Sequence, residues 1–232
     1  MTTSAYERAE ADAAQVLAEY IDEHPFVGSI LKGSLTEQVY AAYLRETYHL
    51  VTQTPYFLSA AASHSDSEWL QDWFLDLARD ERHHNRLCVR DLRNMGIDPD
   101  EYLGDVPGLG TWTMVAQNHY LARAAQQPVG IIGFAAATEG LGARLAPKVA
   151  EAMGQYAFAK DSLSFLKVHS MEDQEHIETV RKGFDRSAAE SPEAYTVMLA
   201  AWKYTLRAYA QLFTDSLERG GSELAAASPR IG

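Results

Sequence analysis

From Ser4 to Arg219 the apolar residues recur at helical spacing, no segment alternates convincingly as a strand would, and Pro and Gly mark the breaks. That pattern restricts the fold to helices packed on helices. A first helix is expected from about Ser4 to Glu23, ahead of His24-Pro25, with a short helical turn over Val27 to Lys32. Ser34 or Thr36 caps a long helix through about Ala62, with a bend at Pro55. Asp66 or Ser67 caps the next, which runs unbroken to about Met95 and stops at Gly96. Two Pro and three Gly make Ile97 to Gly110 a loop. Further helices are expected from Thr111 to about Gln126, from Pro128 to about Met153, from roughly Ala157 to Ala188, and from Pro192 to Arg219. The expectation is one all-α domain of seven to eight helices over residues 1–219, followed by a Gly-, Ser- and Ala-rich tail over 220–232 expected to be mobile.

Composition narrows the function classes. The chain has 232 residues, 47% of them hydrophobic, and no run of 18 apolar residues, so no membrane-spanning helix is expected. Its N-terminus lacks the basic-then-apolar pattern of a signal peptide. Cys88 is the only cysteine, which excludes an intrachain disulfide and fits a reducing cytoplasm. The formal net charge of −12 repels phosphate backbones, so nucleic acid is not an expected partner.

The segment His169-Ser170-Met171-Glu172-Asp173-Gln174-Glu175-His176 reads H-x3-D-x2-H. At about 100° per residue, its two imidazoles and the Asp173 carboxylate fall within an arc of roughly 60° on one helical face. Glu81 and His84 form an E-x2-H pair, three residues apart and so pointing the same way from one helix. Glu139 is the only acid between Pro128 and Pro147, among small residues that allow helices to approach closely. An ionised carboxylate there is costly unless it is paired or bound to metal.

Each group has a plainer explanation. Glu81 and His84 sit in a charged run that fits a solvated surface. Glu139 could pair with Arg144 or another arginine. His169, Asp173 and His176 are flanked by Glu172, Glu175 and Glu178, as on a solvated helix. Together, however, they supply three imidazoles and three carboxylates without thiolate, a set suited to iron or manganese rather than structural zinc. Six ligands are too many for one reactive iron and suit two metals sharing a carboxylate. Glu139 is the acid expected to bridge. Glu81, Glu139 and Asp173 are the expected catalytic carboxylates. His83 points away from His84, and His24, His49, His64 and His119 lack a carboxylate-plus-His partner set.

On these motifs the chain resembles the haem-oxygenase-like di-iron oxidases and oxygenases, on the helical fold shared with thiaminase-like and PQQ-synthesis-like proteins. The resemblance covers nearly the whole chain by helix count and order. It is carried by Glu81-x2-His84, Glu139 and His169-x3-Asp173-x2-His176. It implies two irons on those six residues, dioxygen as co-substrate and a peroxo-di-iron(III) intermediate. The E-x2-H spacing is similar to that of the fatty-acid decarboxylase branch; other branches N-oxygenate small amines or fragment amino acids. We lean to a small amine or amino-acid-derived metabolite, with oxidative decarboxylation or C–C cleavage of a fatty acid or amino acid as the alternative. The site should lie beside a pocket for which Tyr43, Tyr48 and Phe57 from one helix and Trp112 and His119 from another are candidate lining, although ordinary core packing is the commoner explanation of such aromatics. With no flavin or nicotinamide motif, electrons come from an external reductant. A homodimer stays open.

Two competitors share parts of the pattern. Thiaminase-like hydrolases on this fold use a cysteine near where this chain has Thr138-Glu139, whereas Cys88 lies one turn beyond His84. A ferritin-like iron-binding bundle would use Glu46, Glu81-x2-His84, Glu139 and Asp173-x2-His176. That reading leaves His169 surplus and puts Asp where a Glu belongs.

Overall fold

The structure, a computed structural model, describes residues 3–104, 106–124 and 128–227, without the side chains of 146, 172–175 and 225–227. It is all helical, as the periodicity demands, with ten α-helices among the described residues: α1 (Ala5–Leu17), α2 (Pro25–Leu31), α3 (Glu37–His64), α4 (Glu68–Asp80), α5 (Asn85–Asn94), α6 (Pro99–Tyr102), α7 (Leu109–Arg123), α8 (Gly130–Met153), α9 (Ser164–Glu190) and α10 (Pro192–Ala227). The count exceeds the expected seven to eight for two reasons. One expected helix is split at 81–84, and the Ile97–Gly110 loop holds the one-turn α6.

Local chemistry sets most boundaries. Ser4 and Glu7 form a reciprocal capping box on α1, which passes into a π-helical turn over Ala18–Asp22. The His24 ring accepts from the Phe26 N–H and Pro25 occupies the first turn of α2. The Thr36 hydroxyl caps α3 through the Val39 N–H. The end expected at Gln126 lies outside the described residues; α7 is helical to Arg123.

Three boundaries depart from the sequence reading. Helix α4 stops at Asp80, and α5 restarts at Asn85 after His83 adopts a left-handed φ of +83°. Helix α9 begins at Ser164, after a single 3₁₀ turn over Ala157–Ala159, well past the expected Ala157. Its opening N–H groups, from Ser164 and Phe165, donate to the buried Asp91 carboxylate of α5 at 2.8 and 2.9 Å. A side chain from another helix therefore caps α9. Finally, α10 continues past Arg219 to Ala227, so the stretch expected as a tail begins inside a helix. The reason is packing: a Cβ at Gly220 would stand 2.5 Å from the Val39 Cα, so glycine lets α10 lie directly on α3.

Helices α8 and α9 pack tightly on each other, and α10 packs on α3, α7, α8 and α9. Helix α3 makes little direct contact with α8 or α9, and the space between them matters below. No helix among the described residues is long and apolar enough to cross a membrane.

The α8–α10 crossing depends on Gly133. A Cβ there would lie 2.7 Å from the Met198 carbonyl carbon and nearer still to its oxygen. Gly133→Ala should lower stability by roughly 2 kcal/mol, an overpacking cost of about 1–3 kcal/mol partly offset by a gain of about 1 kcal/mol in helix propensity. Urea denaturation followed by circular dichroism checks this; a variant as stable as the parent would mean that the two helices do not meet there.

Candidate metal centre

Five of the six expected side chains converge. The α4–α5 turn supplies Glu81 and His84, α8 supplies Glu139, and α9 supplies His169 and His176. Glu81, His84 and His169 offer ligand atoms within 4.8 Å of one another, and so do Glu81, Glu139 and His176. Glu81 belongs to both groups. Among the described residues Glu139 stands with one of these groups, so Glu81 occupies a shared place that the sequence reading expects for Glu139. The Asp173 side chain lies outside the described residues, although its backbone is within α9.

The broken helix explains how the turn presents two ligands. Glu81 is the C-terminal cap residue of α4, and its side chain is buried together with that of His84. Between them, Arg82 and His83 face solvent, and His83 takes the unfavourable left-handed conformation. The description of Glu81 and His84 as neighbours on one continuous helix is corrected accordingly. They meet across a turn, with His84 Nδ1 3.1 Å from Glu81 Oε2.

Two imidazoles are held in defined orientations. His169 Nδ1 donates to the Phe165 carbonyl at 2.9 Å, which fixes the orientation of its ring. Its ring lies 4.8 Å from that of His84. His176 Nδ1 is 3.4 Å from Glu139 Oε2, and its Nε2 is 3.8 Å from Asp80. That Nδ1 is buried and makes no well-formed hydrogen bond. A buried imidazole nitrogen facing carboxylates is a donor that fits a metal ligand. The donors are carboxylate and imidazole without thiolate, which suits iron. Arg144, the alternative partner of Glu139, instead pairs with Asp22 at 2.5 Å.

Electrostatics couple these groups. Burial alone would raise the Glu81 pKa, but the hydrogen bond from His84 and the charges of His84, His169 and His176 outweigh it and hold the carboxyl below its usual value. Contact with Glu139 pushes His176 up to about 9 against the opposing effect of burial, with Glu81 and Asp80 adding to the rise.

Glu46 is excluded from the cluster. It pairs with Arg45 at 2.6 Å and accepts from the Gly108 N–H at 2.7 Å, which binds α3 to the start of α7. The ferritin-like pattern thereby loses its first carboxylate. Cys88 is fully buried, and burial pushes its thiol well above the usual range, so it is no nucleophile. His24 caps α2, while His49, His64 and His119 bond to Leu103, Ala60 and Gln53 away from the cluster.

Beside the cluster is a cavity with some 1210 Å³ of empty space, its mouth included. Glu81, Glu139 and His169 form its polar end. The rest is almost entirely apolar, with Phe26, Val27 and Ile30 from α2, Leu50, Val51 and Leu58 from α3, and Phe134, Leu145, Val149 and Met153 from α8. Of the aromatics expected there, only Tyr43 lines it. Phe57 is core, edge-on to Phe134; Trp112 is 59% exposed. Tyr48 stacks edge-on against His49, and His119 bonds Gln53. Helix α7 fails to line the cavity because it packs between α3 and α10 on the outer side. Sequence reasoning expected the short helix at α2 but not its part in lining the cavity, and it missed the tertiary cap Asp91. It also missed Asp80, whose only signal was its place beside Glu81.

Residues 41–210 match the family of iron-containing redox enzymes, and the chain belongs to that family. No curated protein sequence matches it. The fold is that of a domain of unknown function with a haem-oxygenase-like fold from Shewanella denitrificans OS217, 22% identical over 97% of both chains with a TM-score of 0.84. It is also shared with a TenA homologue from Pyrococcus horikoshii OT3, 17% identical over 91% of this chain and 99% of the other, with a TM-score of 0.74. A TenA homologue from Pseudomonas syringae pv. tomato DC3000 is 15% identical over 95% and 94% of the two chains, with a TM-score of 0.75.

In the metal-free protein His176 should titrate near pH 9, visible as a displaced imidazole C–H resonance in a proton NMR titration. A raised histidine pKa stabilises the fold below the ordinary value of 6.5, and that contribution is lost as pH rises through about 9. Glu139→Gln removes the main cause, so the resonance should return toward ordinary histidine titration and the stability loss above pH 6.5 should shrink. An unchanged titration in Glu139→Gln would disprove the pairing.

Proposed function

We propose that this protein is an oxygen-activating non-haem di-iron oxidase or oxygenase. The observation that carries this reading is the shared position of Glu81 between two three-residue ligand groups. We assign Glu81, His84 and His169 to one iron and Glu81, Glu139 and His176 to the other, with Asp173 completing the set expected from the motif. A pair of irons held there would supply the redox chemistry that reduces dioxygen. The chain's own residues do the rest. The carboxylates carry negative charge that favours the higher oxidation state, and the imidazoles limit the total charge. The Phe165 carbonyl orients His169. Apolar walls exclude water and hold the substrate against the metal end. Electrons come from an external reductant, because no flavin or nicotinamide motif is present.

The thiaminase-like hydrolase reading lacks its nucleophile, because Cys88 is enclosed in the core. That counts against it despite the shared fold.

The cavity bears on the substrate. A small polar amine, toward which the sequence inclined, would leave most of the apolar wall unfilled. The wall supports a substrate with a hydrocarbon chain whose reacting group lies at Glu81, Glu139 and His169. No Lys or Arg among the described residues lines it, so a carboxylate head has no protein counter-charge there, whereas an amine head meets two carboxylates. N-oxygenation of an aliphatic amine is therefore our first reading. Oxidative decarboxylation of an aliphatic acid, with its carboxylate on the metal, is the second.

Anaerobic titration should load about two Fe(II) per chain. Glu81→Ala should lose both, whereas Glu139→Ala should keep about one because the other ligand group is intact. Trace uptake by the folded parent would end the di-iron reading. With iron bound, dodecylamine should speed oxygen consumption more than glycine or alanine. If dodecanoate alone does so, and a terminal alkene forms, the second reading replaces the first.

A further inference from the structure

The turn that carries Glu81 and His84 has an outer side, and it is basic. Arg86, Arg90 and Arg93 are exposed on α5 at i, i+4 and i+7, one stripe opposite the buried Cys88, Asp91 and Leu92. Exposed Arg82 extends the stripe into the turn itself. Among the described residues none of these four guanidinium groups makes an ion pair. Elsewhere Arg79, Arg144, Lys182, Arg186 and Arg219 each have a carboxylate partner. With Arg79, five of the chain's 20 Lys and Arg fall between positions 79 and 93, in a chain of net charge −12. Of the acids beside the stripe in sequence, Glu81 and Asp91 are buried, in the candidate cluster and the α9 cap, and the exposed Asp80 faces His176 at 3.8 Å.

A compact unpaired positive stripe on an acidic protein focuses its field on partners with a matching acidic patch. A nucleic acid would extend past the stripe onto acidic surface, which disfavours it. The place of the stripe selects the kind of acidic partner. Arg82 is one peptide, about 3.8 Å between Cα atoms, from Glu81, the residue shared by both ligand groups. The side chains of Glu81 and His84 lie directly beneath.

We propose that the Arg82–Arg93 stripe docks an acidic one-electron carrier protein of the iron–sulfur ferredoxin class, which delivers electrons to the site through the α4–α5 turn. The proposal rests on the di-iron reading above. Returning two iron(III) to iron(II) takes two electrons, so two reduced one-electron carriers are oxidised per cycle.

The test uses the full-length, iron-loaded protein and a reduced acidic [2Fe–2S] ferredoxin as probe. Fluorescence anisotropy measures binding, and stopped-flow absorbance measures reduction of the oxidised protein. The variant Arg86→Glu/Arg90→Glu/Arg93→Glu should weaken binding and slow reduction by more than tenfold at low salt, and the difference should fade as salt rises. Reduction by photoreduced deazaflavin, a small donor, should not change. A control, Lys32→Glu/Lys148→Glu/Lys203→Glu, alters the net charge equally on other surfaces and should leave both quantities near the parent's. The milder Arg86→Gln/Arg90→Gln/Arg93→Gln should show an intermediate effect if the reversal disturbs α5, with folding checked by circular dichroism. Equal losses in the control and the stripe variant would overturn the proposal, as would a single-stranded oligonucleotide binding the stripe more tightly than ferredoxin. Iron content of the same samples separates the readings: parent protein without iron defeats the di-iron assignment, whereas full iron with ferredoxin insensitive to the stripe defeats only the docking surface.

Discussion

A buried carboxylate must find positive charge, and the whole site is arranged around that need at Glu81. It is enclosed at the end of α4 and takes a hydrogen bond from His84, with His169 and His176 also close enough to hold it ionised. Desolvating a carboxylate is expensive, so three imidazoles brought together from two segments are a costly substitute for a cation. Neutral imidazoles can also ligate, and a metal held by them would meet the same carboxylate. Glu139 presses the same argument from α8. Its hydrogen bond and charge raise the His176 pKa, while Arg144 is engaged with Asp22.

That demand accounts for the least regular part of the backbone. Glu81 and His84 both bury their side chains while Arg82 and His83 between them stay in solvent. His83 accepts a left-handed backbone, which costs a non-glycine residue on the order of 1 kcal/mol. Such a cost persists only when neighbouring structure over-determines it. Here the neighbours are known. Helix α5 restarts at once, buries Cys88 and Leu92, and uses Asp91 to hold the first turn of α9. The turn that supplies two ligands and the helix that supplies two more are therefore tied together by one carboxylate outside the cluster.

Those features differ in how far the sequence reveals them. The H-x3-D-x2-H spacing is legible because helical geometry is local, and Glu139 is legible because a lone acid among Ile, Ala and Gly has no cheap explanation. The shared role of Glu81 is not legible, since it depends on where α8 and α9 stand relative to a turn that no Gly or Pro announces. The Asp91 cap is invisible for a related reason: its partners are 73 and 74 residues away. Gly220 misleads in the opposite sense. Read alone it suggests a loose tail, yet it is the one residue small enough to let α10 touch Val39. The aromatic lining failed for want of depth. Periodicity gives a helix an inner face, but it does not say whether that face meets the cavity, as α3 does, or a neighbouring helix, as α7 does.

The cavity follows from the same arrangement. Because α10 holds α3 from one side and α8 from the other, α3 and α8 are kept apart instead of collapsing together. The gap is then lined by whatever those helices present inward, and they present mostly hydrocarbon, together with Glu81, Glu139 and His169 of the candidate cluster. Glu81, Glu139 and His169 belong to both the cavity wall and the cluster, so a molecule that fills the cavity meets these candidate ligands. Selection and chemistry thus act on different parts of a substrate. Apolar area chooses the chain, and the few polar groups at the far end choose and position what reacts.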